Sequence, residues 1–133
     1  MPYLRVRVVG EQHQGQADEI AKMLTDLTVT VLKKARPVVA IDLAFAPAAH
    51  WYIGGQAVAD TDKPTFSLEI KLTEGTNTRE QKAQFLTEVY SRMTTILGDL
   101  NEASYVVMQD VNGNSWGFGG QTQEFRYIQS QLN

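Results

Sequence analysis

Pro2 directly follows Met1, and the run Pro2 to Gly10 alternates polar and apolar side chains, so removal of Met1 would leave a secondary amine at the head of a strand. No other standard residue offers that group. A neutral secondary amine abstracts a proton next to a carbonyl, whereas a protonated one acts as a general acid. The surroundings decide between the two, because burial disfavours the charged form of an amine. A proline in second place is a weak signal by itself, and its weight rests on what the rest of the chain builds around it.

The remaining chemically able residues offer less. The chain has no cysteine, which excludes disulfides, thiol nucleophiles and cysteine-ligated zinc. His13 and His50 stand alone in loop-like sequence without a paired carboxylate or a second histidine, so no metal is expected. Asp42 and Asp110 fall on two apolar segments read as strands, where a solvated or hydrogen-bonded carboxylate is a plainer reading than a catalytic one. The pairs Gly54-Gly55 and Gly119-Gly120 fit tight turns, and no phosphate-cradling or dinucleotide pattern accompanies them. No cofactor is expected. The net charge of −3, from 12 basic and 15 acidic residues without a like-charge block, gives little support to a nucleic-acid or membrane partner. Arg5 and Arg7 interrupt the first apolar stretch, unlike a signal peptide. The longest apolar stretch, Val38 to Ala49, contains Asp42 and Pro47 and is too short to span a bilayer. A cytoplasmic protein is the expectation.

The elements that must position Pro2 occur twice. Trp51-Tyr52-Ile53-Gly54-Gly55-Gln56 and Trp116-Gly117-Phe118-Gly119-Gly120-Gln121 lie 65 residues apart, as do Gly10 and Gly75, Gln16 and Gln81, and Leu32 and Leu97. A fixed offset of this kind marks a duplicated unit. Leu4, Val6 and Val8 in the first copy, and Phe66, Leu68, Ile70 and Leu72 in the second, show the period-two alternation of strands. Ile20, Met23, Leu24, Leu27 and Val31 then recur at helical spacing, as do Phe85, Val89, Met93 and Ile96. Pro37 is expected to end the first helix. Thr78 and Gln81 fit a capping box at the start of the second, and Gly98 its stop. Val38 to Phe45 and Tyr105 to Val111 close the two units as strands, and Gly54 to Lys63 reads as the link between them. The expected fold is α+β: tandem β-α-β units, about residues 2–62 and 64–133 of a single domain of 133 residues, forming a four-stranded mixed sheet with two helices on one face. The bare second face predicts oligomerisation.

Pro2, the run Thr73 to Lys82 leading into the second helix, and Trp116-Gly117-Phe118-Gly119-Gly120 together resemble the tautomerase superfamily, which is built from such units either free or fused in pairs. The resemblance covers nearly the whole chain and implies a trimer of fused chains. It also implies an isomerase: Pro2 as general base for keto-enol or related 1,3-proton transfer on a small carbonyl compound or 2-oxo acid. The alternatives are a hydratase, dehalogenase or decarboxylase working through protonated Pro2, and a non-catalytic trimeric binding protein. In the branch resembling 4-oxalocrotonate tautomerase, two arginines bind substrate carboxylates. Here those positions hold Glu11 or Thr76, and Ala40 or Tyr105, which makes a dicarboxylate substrate doubtful. The branch resembling macrophage migration inhibitory factor places a lysine near the end of the first helix and a tyrosine on the second closing strand, positions matched by Lys34 and Tyr105, with Arg36 as the nearest substitute for the lysine. The resemblance also implies that an aromatic at Trp51 or Trp116 walls the proline pocket. The plainer readings are a helix-end charge for Lys34, packing for Tyr105, and core or interface anchors for the tryptophans.

Overall fold

The computed structural model describes residues 2–132. Strand β1 (Tyr3–Val9) buries Leu4, Val6 and Val8 completely and turns Tyr3, Arg5 and Arg7 outward. Helix α1 (Gln14–Thr30) follows, its first turn capped by His13, whose Nδ1 accepts from the Gln16 amide at 2.9 Å. The chain returns as β2 (Ala40–Ala46), parallel to β1. A hairpin of β3 (Tyr52–Ile53) and β4 (Gln56–Ala57) then turns on Gly54 and Gly55. Both have positive φ, as a two-residue hairpin of matching twist demands. The same order recurs in β5 (Phe66–Thr73), α2 (Arg79–Leu97), β6 (Tyr105–Val111) and the hairpin of β7 (Gly117–Phe118) and β8 (Gln121–Thr122). Helix α3 (Gln123–Gln131) follows.

The main sheet has the order β2-β1-β5-β6. Its outer pairs are parallel and its central pair, β1 with β5, is antiparallel. Ile20, Leu24 and Leu27 of α1 and Phe85, Val89 and Met93 of α2 pack on the inward side chains of β1 and β5 in one cluster. Each fully buried side chain of this size contributes roughly 1.5–3 kcal/mol relative to exposure. Tyr3, Tyr105 and Val107 lie exposed on the opposite face.

Three expectations need correction. Helix α1 ends at Thr30, well before Pro37. Lys33 adopts φ 61, and the Lys34 amide reaches back to the Thr28 carbonyl at 3.3 Å. This left-handed turn consumes the last carbonyls of the helix, and Pro37 instead opens a separate 3-10 turn, Arg36–Val38. The segment from Gly54 to Lys63 is more than a link, since it contains β4 and a 3-10 turn around the buried Val58. Helix α3 has no counterpart in the expected element list. The capping box does form: Thr78 Oγ1 accepts from the Gln81 amide while the Gln81 side chain accepts from the Thr78 amide. No helix among the described residues is long and apolar enough to cross a membrane.

Candidate active site

Because β1 and β5 run antiparallel, the head of β1 lies beside the tail of β5. Tyr3 stands opposite Lys71, and one further step sets Pro2 beside Leu72. Strand β6, parallel to β5, brings Asp110 level with Leu72 and Val111 level with Thr73. Pro2 is buried, and its carbonyl accepts from the Ala40 amide at 3.4 Å. One end of the sheet therefore gathers the start of β1 and the ends of β5 and β6.

Past β5 the chain turns at Gly75, φ 80, and runs into α2. Lys34 arrives at this turn from the end of α1, and its Nζ donates to Thr76 Oγ1 at 2.8 Å. The left-handed turn at Lys33 aims it there, and Asn77 locks the arrangement by donating to the Leu32 carbonyl at 2.9 Å and to Gln81 Oε1 at 3.0 Å. Burial pulls the Lys34 ammonium below the usual lysine pKa, and the charge of Asp110 opposes that only in part. Asp110 is itself paired with Lys82 at 2.6 Å. The result is a half-buried cation, held by a neutral hydroxyl, at the sheet end where Pro2 sits.

The other expected residues divide by position. Trp116 follows β6 at the Pro2 end, where its carbonyl accepts from the Gln123 amide at 2.8 Å. Tyr105 pairs with Ser67 at the other end of β5, about 17 Å of strand from the level of Leu72. Trp51 also lies at that far end, lining a cavity of about 430 Å³ with Arg7, His50 and Ser67. Arg36 turns back along α1 to Asp26 at 2.7 Å. Lys22 and Arg36 together hold the Asp26 carboxyl below its usual pKa. Asp42 accepts from the Tyr3 hydroxyl at 2.8 Å, which raises the Tyr3 phenol. Within one chain, then, Pro2, Lys34 and Trp116 share an end, Trp51 and Tyr105 share the other, and Arg36 serves neither. No group of three or more His, Asp or Glu side chains among the described residues has the geometry of a metal site.

Thr76, Thr73 and Gln123 escaped the sequence reading. Thr76 stands where the resemblance implies an arginine, and the cation that reaches this turn is Lys34, from 42 residues away. Gln123 is only 7 % exposed, and its burial was legible only from the 65-residue offset, which aligns it with Val58.

A family model described as "Tautomerase enzyme" matches residues 67–126, the span of the second β-α-β unit and its hairpin. The whole fold matches that of a native fused 4-OT, with 26 % identity and a TM-score of 0.82 over 92 % of this chain and 97 % of that one. The chain belongs to the tautomerase superfamily. This superfamily fold is also shared with Pt0534 inactivated by 2-oxo-3-pentynoate, at 18 % identity and a TM-score of 0.81 over 92 % of this chain and 98 % of that one. A fused 4-OT described as a wild-type asymmetric trimer matches at 22 % identity and a TM-score of 0.80, over 93 % and 98 % of the two chains. The curated proteins contain no match.

Proposed function

We propose that this superfamily member is a tautomerase acting on a small 2-oxo monoacid, with Pro2 as base and Lys34 as carboxylate anchor. The observation that carries the reading is the Lys34 ammonium, desolvated and fixed on Thr76, at the end of the sheet where β1 begins. With Met1 removed, the Pro2 nitrogen takes the proton from the carbon beside the substrate carbonyl. It then returns that proton to the other end of the three-atom system, so the amine is regenerated and no redox partner is consumed. If the processed Pro2 keeps its burial, the neutral amine that this step requires would be favoured. A single cation fits one carboxylate, which accords with the loss of the paired arginines. Trp116, which follows β6 at the same end of the sheet, would wall the pocket as the resemblance implies. The exposed Tyr3, Tyr105 and Val107 supply the surface for a homotrimer, and in that assembly Tyr105 and Trp51 would reach the pocket of a neighbouring copy.

The experiment is a pH–rate profile of the processed chain on an enolised 2-oxo monoacid, beside Pro2→Ala. The rate should rise as the amine loses its proton, and Pro2→Ala, which leaves a primary amine in the same fold, should be at least about tenfold slower, the lower part of what a positioned base contributes. A rate that falls as the amine deprotonates would assign Pro2 to general-acid chemistry. A Pro2→Ala variant as fast as the parent would remove Pro2 from the reaction.

A further inference from the structure

The duplication provides an internal control for every position. The Val58 amide donates to the Trp51 carbonyl at 2.8 Å, and 65 residues later the Gln123 amide donates to the Trp116 carbonyl at the same distance. Val9 pairs with Ala46, and at the matching place Thr73 pairs with Val111. The first copy thus fills this spot with two valines, buried at 6 % and 9 % exposure. The second copy places Gln123 and Thr73 there. Gln123 Nε2 and Thr73 Oγ1 are both buried, and neither has a hydrogen-bond partner among the described residues. A buried polar atom left unpaired is costly, and the first copy shows that valine meets the structural need.

Both residues lie in the wall of a cavity of about 370 Å³ that also includes Glu74, Thr76, Gly113 and Glu124. Gly113 lets the chain after β6 pack closely on the first turn of α3, since a Cβ there would stand 3.3 Å from the Glu124 nitrogen. Arg126 donates to Gln123 Oε1 at 2.9 Å, which fixes the amide with its Nε2 as the free donor and polarises it. Thr76 belongs to this wall and also carries the Lys34 ammonium. The cavity therefore adjoins the proposed carboxylate anchor. Its donors are neutral, and the carboxylates of Glu74 and Glu124 on its wall disfavour a second anionic group.

We infer that Gln123 and Thr73 receive a neutral carbonyl oxygen at the far end of the substrate, which makes the substrate class 2-oxo monoacids carrying a distal ester, amide or ketone. The inference rests on the proposed function for its carboxylate anchor, but its test reads binding and needs no turnover.

Three probes that share one 2-oxo acid end are titrated against the intact chain by calorimetry: the methyl monoester of α-ketoglutarate, α-ketoglutarate itself, and α-ketohexanoate. The parent should bind the monoester about tenfold more tightly than either of the others, the scale of one buried hydrogen bond gained or one left unmade. Gln123→Leu should abolish the preference for the monoester over α-ketohexanoate. Gln123→Val, the side chain of the first copy, checks that the result does not depend on leucine's shape. Equal binding of the three probes by the parent, or a preference that survives both substitutions, would overturn the assignment. Retained discrimination in a Pro2→Ala chain that has lost turnover would still support it, which separates this inference from the catalytic one.

Discussion

Replacing Lys34 by methionine removes the ammonium and keeps most of the apolar stem, so it isolates the charge from the packing. The ammonium has three protons to offer, and one is spent on Thr76 Oγ1 at 2.8 Å. The others remain for a substrate carboxylate. A charge-assisted hydrogen bond of this kind contributes about 1.5–3 kcal/mol net, less than the roughly 4 kcal/mol of bare Coulomb attraction at 4 Å near a surface, because the carboxylate gives up water to make it. At about 1.4 kcal/mol per tenfold, Lys34→Met should raise KM roughly 10- to 100-fold with a much smaller change in kcat, since the carboxylate is held equally in substrate and transition state. The pH dependence supplies an independent sign. Burial lowers the Lys34 pKa, so the folded chain loses this charge at a lower pH than an ordinary lysine would, and KM should climb through that alkaline range. Lys34→Arg, charged throughout, should show no such climb. Stability moves the other way. In the window between the lowered folded pKa and the ordinary unfolded one, the unfolded chain holds the extra proton, so this residue makes the fold more stable as pH rises. A rising KM in that window therefore cannot come from unfolding driven by Lys34 itself. Steady-state ketonisation of an enolised 2-oxo monoacid, followed across pH for the three proteins, measures all of this. An unchanged KM in Lys34→Met, or an identical alkaline rise in Lys34→Arg, would refute the role of the charge.

Lys33→Gly should stabilise the fold by about 0.5–1 kcal/mol in urea titration, because φ 61 strains a residue that has a Cβ and suits glycine. Thr78→Ala should cost about 0.5–2 kcal/mol by the same measurement, since it removes the acceptor half of the capping box at the start of α2.

Strands β1 and β5 were legible because each has one buried face, so Leu4 to Val8 and Phe66 to Leu72 carry the period in their side-chain types. The stripes of α1 and α2 and the Thr78–Gln81 cap were readable for the same local reason. The end of α1 was not. A proline announces where a helix must stop, but Lys33 entering the left-handed region stops it earlier, and nothing in a lysine signals that conformation. Helix α3 was missed because its apolar residues Phe125 and Ile128 remain exposed in the chain, and its one buried residue is the polar Gln123. The site was half legible. Pro2 and Lys34 could be named as candidates from type and position, but the meeting of Lys34 with Thr76 depends on where two helices and two strands come to rest. The separation of Tyr105 from Pro2 depends on strand direction, which side-chain alternation does not encode.

The register makes the two ends of the sheet comparable. Tyr3 pairs with Ala40 in one half, and Ser67 pairs with Tyr105 in the other, so Phe66 stands where Pro2 stands. Phe66 is fully buried and lies inside a continuous chain. Its nitrogen is an amide, and no processing event at the head of the chain can turn it into an amine. Joining two units into one polypeptide thereby gives the ends different evolutionary freedoms. Under the proposed function, a mutation near Pro2 would be judged by chemistry, whereas its counterpart near Phe66 would be judged only by whether the fold and assembly survive. The unequal pairs Val9 and Thr73, and Val58 and Gln123, lie where such divided selection would act, and a covalent duplication of this kind can specialise one pocket without having to change its twin.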